Sequence, residues 1–246
     1  MVELSPSEMN MFHNMGQAYR LIKIMKLPTQ PVDNYKRDLG INMHLIIKKY
    51  YLQVHQKPTV EFIERTAKQC FTTYFDQTLN MHRAEATVAL NNFIAFEKRR
   101  LDDYRVPVLV ETYLKQPNMY KGIIDMFDGV TVYDWKLKNV MKMGDDERTQ
   151  SKTYITLLHA NGFKIPDGYN DFKFKFVPLL TKTEIDAPFT TDAWLEQRRQ
   201  NVLNGIATDT YPECNKYLCP WCDAKMACEF RKSKLWESVD LLWNRI

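Results

Sequence analysis

The first hundred residues of the chain carry hydrophobic patterns and capping signals that predict four helices. Hydrophobic residues three and four positions apart give each helix one buried face. Ser5 and Glu8 form a capping-box sequence with Pro6 in the first turn, which predicts where the first helix begins. Gly40, inside the second helix, costs about 1 kcal/mol relative to alanine and indicates close packing. The predicted helices are residues 4–25, 35–54, 59–75 and 82–101.

The pattern then changes to extended segments. Three consecutive strands are predicted, followed by a helix that returns over them, a strictly alternating strand and a last helix. These segments are residues 106–114, 119–127, 130–138, 145–161, 171–180 and 191–205. No repeat, low-complexity tract or long linker divides the chain, so we expect one domain over residues 1–246. Within it, residues 1–104 are mainly helical, residues 105–182 form a sheet with a helix, and residues 183–246 hold a helix and a cysteine-rich segment.

The second and third strands form a predicted hairpin around Asp128-Gly129, a two-residue type I′ turn sequence. That turn pairs Phe127 with Val130. Side chains alternate along a strand, so Asp125, Asp134 and Lys136 project from one face. The two carboxylates are then diagonal neighbours, with Cα atoms roughly 7–8 Å apart. The other face is apolar, which is typical of an inner part of an α/β sheet.

These charges on an apolar hairpin need compensation, because a buried charge is costly unless it is paired. One explanation is a divalent metal held by Asp125 and Asp134 with Lys136 beside it. The alternative is that Asp134 and Lys136 form a surface pair on a half-exposed hairpin. Glu111, in the preceding strand, is either an edge-exposed residue or a third acidic group of the same site.

Three further polar residues are candidates on helices. Gln150 and Tyr154 lie four residues apart, on one face of the helix that follows the hairpin. His44 lies one helical turn after Gly40. Alone, each residue type is more typical of a surface, rim or core position than of a ligand.

The composition limits the classes of protein to which the chain can belong. The 246 residues are 45% hydrophobic, and the net charge of +4 with a pI near 8.6 allows a polyanionic partner without requiring one. No apolar run approaches the roughly 18 residues that span a bilayer, and the N-terminus has no leader pattern. We therefore expect a soluble cytoplasmic protein with no membrane partner, in the host cytoplasm if it is viral.

Four of the five cysteines lie between Cys214 and Cys228. Without a secretion signal, this crowding favours a metal site over disulfides. The spacing of Cys219, Cys222 and Cys228 suits either zinc or an iron–sulfur cluster. The fifth cysteine, Cys70, is predicted to be a buried helix residue.

The order of the polar motifs carries a family resemblance over essentially the whole chain. Gly40-x-x-x-His44, Glu111, Gly122-x-x-Asp125, Asp134-x-Lys136 and Gln150-x-x-x-Tyr154 resemble the RecB-type branch of the PD-(D/E)XK nucleases. The opening LSPSEMNMF resembles the first helix of that branch. The resemblance implies an α/β fold with a restriction-endonuclease-like core, in which helices flank a mixed central sheet.

The resemblance also implies roles for residues. His44, Asp125, Asp134 and the backbone carbonyl of Trp135 would hold Mg²⁺ or Mn²⁺, and Glu111 would complete the acidic cluster directly or through water. Lys136 would orient and help deprotonate the attacking water. Gln150 and Tyr154 would steady the site and the DNA backbone.

The iron–sulfur nucleases of this branch have a similar C-terminal cysteine triplet, with a first cysteine at the end of the first helix. Here that place is Asn14-Met15-Gly16. Cys214 is the natural substitute as fourth ligand, which would make the cluster local to the tail. We therefore expect Cys214, Cys219, Cys222 and Cys228 to bind [4Fe–4S], with zinc as the alternative.

The predicted function is a metal-dependent deoxyribonuclease, an exonuclease acting on single-stranded DNA or DNA ends in phage or CRISPR-type DNA processing. The chain has no P-loop sequence, so unwinding a duplex would need a helicase or recombination partner. The alternative is a non-catalytic DNA-binding or assembly subunit with a nuclease-like fold. Carboxylates that face phosphates argue against a pure binding role. RNA remains possible as a substrate.

Overall fold

The computed structural model describes residues 2–27, 29, 34–215, 217–218, 222–224 and 228. These residues fall into two compact units, the first centred on residues 35–190 and the second on residues 4–34 with residues from 191 onward. In chain order the helices are α1 Pro6–Asn14, α2 Gly16–Tyr19, a π-helical turn Arg20–Ile24, α3 Tyr35–Tyr51, α4 Val60–Tyr74, a 3-10 segment Gln77–His82, α5 Arg83–Arg100, α6 Asp145–Ala160 and α7 Asp192–Ala207. The strands are β1 Leu109–Gln116, β2 Tyr120–Phe127, β3 Thr131–Lys136, β4 Lys173–Pro178 and β5 Ile185–Asp186.

The first unit is built on a mixed five-stranded sheet in the order β1-β2-β3-β4-β5. Only the β3–β4 pair is parallel, and α6 makes the crossover between these two strands, as parallel pairs require. Tyr133 and Trp135 pack into one hydrophobic cluster with α3, α4 and α5. Phe174 is paired with Val132 and contacts Tyr154 of α6, so α6 covers the opposite face. The predicted α/β fold, a mixed sheet flanked by helices, is confirmed.

The hairpin between β2 and β3 differs from the predicted one. Phe127 pairs with Val132, and the Asp128 amide donates to the Thr131 carbonyl, so the turn is centred one residue later than expected. A type I′ turn needs positive φ at both central positions. Of the predicted pair Asp128-Gly129, only Gly129 has it, at 92°. The Asp128 carboxylate instead accepts from the amides of Val130 and Thr131, which stabilises the shifted turn.

A buried charged network supports this turn from α5. Glu97 is fully buried and accepts hydrogen bonds from Tyr50, Tyr51 and Arg100. Arg100 also lies 3.7 Å from the Asp128 carboxylate. The network therefore links α3 and α5 to the end of the hairpin, and each buried charge has an opposite charge beside it.

Several predicted elements differ in detail from those in the structure. The first predicted helix is confirmed at its capping box, where Glu8 N–H donates to Ser5 Oγ and Ser5 N–H to the Glu8 carboxylate. However, that helix breaks at Met15, whose φ of −143° is not helical. The short β5 was not predicted. The close packing expected at Gly40 is wrong, because an added Cβ there would meet only Leu137 at 3.9 Å.

The second unit packs α1 against α7 and the segment that follows it. The closest approaches are at glycine: a Cβ at Gly205 would lie 2.4 Å from the Phe12 ring, and one at Gly16 would lie 2.4 Å from the Pro212 carbonyl oxygen. The Asn215 amide donates to the carbonyl of Asn14 at 2.7 Å, which ties the end of α1 to the start of the cysteine segment. Over the part of the chain described, no helix is long and apolar enough to cross a membrane.

Candidate active site

Helix α3 places His44 against residues of β1 and β3, and both nitrogens of its ring face acceptors. Nδ1 lies 3.0 Å from Glu111 Oε1, and Nε2 lies 3.1 Å from the backbone carbonyl of Trp135. Two acceptors favour an N–H donor on each nitrogen, which is the doubly protonated form of the ring. The pKa of His44 agrees: burial lowers it, but Asp125 and Glu111 outweigh burial and raise it to about 9.

Glu111 and Asp125 come from neighbouring strands at one level of the sheet. Val110 pairs with Met126 and Thr112 with Ile124, which places Glu111 opposite Asp125. Glu111 has a φ of 44°, an uncommon left-handed conformation for a residue with a side chain, and the ladder is interrupted there. Ligand atoms of His44, Glu111 and Asp125 all lie within 4.8 Å of one another. We call these three residues the acidic trio.

Asp134 and Lys136 lie beside the acidic trio on β3. Asp134 is 1% exposed, and its Oδ2 lies 2.7 Å from Lys136 Nζ. Its other oxygen accepts a 2.6 Å hydrogen bond from the side-chain amide of Gln150, which also lies 3.4 Å from the Tyr154 hydroxyl. The sequence-predicted residues from β3 and α6 are thus brought together, and Asp134 and Lys136 are not a surface pair.

The backbone of Trp135 joins the two groups. Its amide donates to Asp125 Oδ2 at 2.9 Å, and its carbonyl accepts from His44. Its indole ring packs into the hydrophobic cluster against Phe93 and Phe96. This anchoring holds the peptide group of Trp135 at a fixed place between Asp125 and His44.

Electrostatics keeps the site's two cations charged. Burial would favour a neutral Lys136 amine, but Asp134 and then Asp125 hold the pKa of Lys136 above its ordinary value. Burial, and then the charge of Asp134, raises the pKa of Asp125. Burial likewise raises the pKa of Tyr154, so its hydroxyl stays neutral. The carboxylates are therefore opposed by the cations of His44 and Lys136, and Asp125 binds a proton more readily than an ordinary carboxyl group.

The donor set fits a divalent metal ion. Carboxylate oxygens and a backbone carbonyl are ligands that Mg²⁺ and Mn²⁺ prefer, and imidazole adds a nitrogen donor. Asp134 Oδ2 is buried and lies 2.7 Å from Lys136 Nζ, so its neighbour is already a cation. A buried carboxylate in that state is suited to binding positive charge. Of the predicted ligands, His44, Asp125 and the Trp135 carbonyl lie together, and Glu111 is in direct contact with His44.

Gly122 has a packing role that the sequence pattern alone did not reveal. A Cβ at this position would lie 2.7 Å from the Tyr154 ring and 3.3 Å from Leu157. Only glycine lets α6 approach β2 so closely, and this approach sets the position of Gln150 relative to Asp134. The sequence shows Gly122 as part of a motif, but its close contact with α6 can be seen only once the position of that helix is known.

The cysteine segment is described only in part. Cys222 and Cys228 pack, with Met15, against a small apolar cluster of Ala18, Leu21 and Ala224. Cys214 is partly buried, Cys219 lies outside the described residues, and among the cysteines described none forms a disulfide. Cys70 is buried on α4, as predicted. Thus two of the four expected ligands lie against the same patch, next to the residue at the end of α1.

Comparison with known proteins gave one family match. The model of the PD-(D/E)XK nuclease superfamily matches residues 3–229 of the 246. A search of curated proteins found no match.

Proposed function

Because the chain belongs to the PD-(D/E)XK nuclease superfamily, a family of metal-dependent nucleases, we propose that it is an exonuclease that hydrolyses single-stranded DNA or DNA ends. The observation that carries the proposal is the meeting of His44, Glu111 and Asp125 within 4.8 Å, with Asp134 and Lys136 beside them. Carboxylates this close repel one another, so a site that holds them together is suited to a cation.

In this proposal the metal is Mg²⁺ or Mn²⁺, held by His44, Asp125, Asp134 and the Trp135 carbonyl, with Glu111 as a direct or water-mediated ligand. When bound, the ion supplies positive charge to the scissile phosphate and lowers the pKa of water. The imidazole nitrogen favours Mn²⁺ over Mg²⁺, because nitrogen donors bind Mg²⁺ poorly.

The chain's own residues have distinct roles. Lys136 is a protonated donor held by Asp134, so it can place positive charge on a phosphate oxygen and orient the attacking water. Gln150 donates to Asp134 and fixes the rotamer of that carboxylate. Tyr154 is a neutral donor beside Gln150, placed to steady the DNA backbone.

The cofactor of the cysteine segment is also part of the proposal. We propose that Cys214, Cys219, Cys222 and Cys228 hold [4Fe–4S], with zinc as the alternative. The support is that Cys222 and Cys228 pack on one apolar patch, and that the Asn14–Asn215 hydrogen bond brings the chain beside Cys214 to the end of α1. Cys222 and Cys228 are half-buried on this patch, and an apolar shell around a metal site limits the access of solvent to it.

The wider setting is proposed on the same basis. We regard residues 1–246 as one nuclease domain that works in the cytoplasm, in phage or CRISPR-type DNA recombination or processing. Double-stranded DNA would be supplied with free or frayed ends by a helicase or recombination partner.

The deciding experiment is a time course on end-labelled single-stranded and duplex DNA with Mg²⁺, Mn²⁺ or EDTA. We compare wild type with Asp134→Ala and Lys136→Ala, and use Asp167→Ala, an exposed acidic residue outside the site, as the matched control. Wild type and the control should shorten DNA only with metal. Both site variants should lose at least 100-fold in rate while still binding DNA, since each removes a group that stabilises charge in the transition state.

The outcomes separate the candidate functions. The label that is lost first gives the polarity, and internal fragments would identify an endonuclease. Wild type that binds DNA with metal present and never cuts it would overturn the nuclease and favour a binding subunit.

A further inference from the structure

The face of the β1–β2 hairpin that points away from α6 has an unusual composition. Tyr113 and Ile123 are directly paired across the two strands and are 54% and 49% exposed. The next pair on the same face is Lys115 with Lys121. The pair between them, Leu114 with Gly122, points toward α6, where Gly122 meets Tyr154. Thus two successive outward pairs present first apolar and then positive side chains.

This face begins next to the acidic trio. Tyr113 follows Glu111 by two residues and Ile123 precedes Asp125 by two, a separation of roughly 7 Å along each strand. A third exposed apolar residue is near His44 along α3: Ile41 is 64% exposed and lies three residues earlier. Exposed apolar side chains are thus found on β1, β2 and α3, the three elements that carry the acidic trio.

We propose that Tyr113 and Ile123 form a stacking platform for unpaired bases, and that Lys115 and Lys121 contact the phosphates of the same strand. This inference rests on the proposed nuclease function and adds the form of its substrate. An aromatic ring beside an aliphatic side chain offers a flat apolar surface that suits the face of a nucleobase, and paired lysines complement the backbone charge.

The platform selects for a single strand. In a duplex the faces of the bases are covered by their neighbours, so only an unstacked base can lie on Tyr113. The short distance from the platform to Glu111 and Asp125 places the bound base next to the phosphate that is to be cut. A protein partner fits less well, because an apolar pair followed by two like charges matches the alternation of base and phosphate.

The test compares binding of two single-stranded oligonucleotides in EDTA, so that cleavage does not consume them. One is an ordinary 12-mer, and the other has the same length with abasic sites in place of nucleotides. Tyr113→Leu keeps an apolar side chain without the ring, and Tyr113→Phe is the matched control that keeps the ring. Wild type and Tyr113→Phe should bind the ordinary strand roughly tenfold more tightly than the abasic one, and Tyr113→Leu should lose most of this preference.

A second measurement tests the lysines. Replacing Lys115 and Lys121 with glutamine should reduce the slope of log K against log salt by about 0.7 for each phosphate that a lysine no longer neutralises. Equal preference for the two strands by wild type, or a full preference retained by Tyr113→Leu, would overturn the platform. Absence of DNA binding by wild type would overturn it as well.

The result is independent of cleavage. Wild type that discriminates the two strands but never cuts would overturn the nuclease while supporting the platform. If wild type cleaves DNA and Tyr113→Leu discriminates the two strands as well as wild type does, the nuclease is supported and the platform is overturned.

Discussion

At the scale of single residues, the two cationic side chains of the site, His44 and Lys136, each contact a carboxylate. His44 donates from both ring nitrogens, to Glu111 and to the Trp135 carbonyl. A histidine can bind a metal only after it has lost a proton from one nitrogen. If His44 is a metal ligand, as proposed above, metal and proton compete at the same ring.

This competition predicts a pH dependence of metal binding. Asp125 and Glu111 raise the pKa of His44 to about 9, so at pH 7 the ring must release a proton before it binds an ion. The apparent affinity for Mn²⁺ should rise from pH 7 to 8.5, measured by calorimetry in buffers of different ionisation enthalpy. His44→Ala should bind more weakly and with a shallower pH slope. His159→Ala, at an exposed histidine, is the control, and a slope in His44→Ala equal to that of wild type would remove His44 from the ligands.

Gly122 gives a second prediction at this scale. Gly122→Ala should destabilise the fold by about 1–3 kcal/mol, because its Cβ would overlap the buried Tyr154 ring. It should also slow cleavage, since α6 carries Gln150. Gly40→Ala is the control, because it has space and should gain up to about 1 kcal/mol of helix propensity. Denaturant unfolding measures both, and a Gly122→Ala protein as stable as wild type would contradict the tight fit.

The identities of the site residues could be predicted where a sequence motif contains them, but the contacts between these residues could not. Asp125, Asp134 and Lys136 follow from alternation along the strands, which survives the shift in the turn because both registers keep the same parity. The contact of Gln150 with Asp134, and the left-handed φ of Glu111, depend on where α6 and β1 lie in space. No local pattern encodes them.

At the scale of elements, the β2–β3 hairpin depends on α5. Arg100→Met should cost about 3–5 kcal/mol, because it leaves the fully buried Glu97 carboxylate without its cationic partner. The neighbouring Arg99→Met removes a surface pair with Glu184 and should cost less than about 1 kcal/mol. Urea unfolding measures the free energy of unfolding of both variants.

A companion variant keeps that prediction testable. Adding Glu97→Gln to Arg100→Met should recover part of the lost stability, because it removes the uncompensated charge. If Arg99→Met and Arg100→Met lower the free energy of unfolding equally, the buried network contributes no more than a surface ion pair.

Element prediction succeeded where one physical signal dominated. The helices from residue 35 to 100 follow their hydrophobic period, and the first helix follows its capping box. It failed where tertiary contacts decide: the two-residue β5 exists only through its pairing with β4, and the break at Met15 accompanies the close approach of Gly16 to Pro212.

At the scale of the whole molecule, the fold class was predictable because helices and then strands alternate in the order that a mixed sheet with a crossover helix needs. The division into two compact units was not, since no change in composition marks it. The second unit brings together residues from both ends of the chain, which sequence separation alone could not indicate.

The cysteine segment gives a prediction at this scale. Cys222→Ser should lose the metal proposed for this segment, and with it any visible absorption. It should also make the second unit more sensitive to proteases, because two of the proposed ligands pack on its small cluster. Metal, iron and sulfide analysis of protein purified without oxygen measures the first effect. Cys70→Ser, at a cysteine of α4, is the control, and stoichiometric zinc in colourless wild type would decide against [4Fe–4S].

The ion pairs of His44 and Lys136 have a consequence for how an ion enters the site. His44 contacts Glu111 and Lys136 contacts Asp134, so the carboxylates proposed to bind the metal already have cationic neighbours. An ion that binds there must displace these contacts, so metal loading should move both cationic side chains.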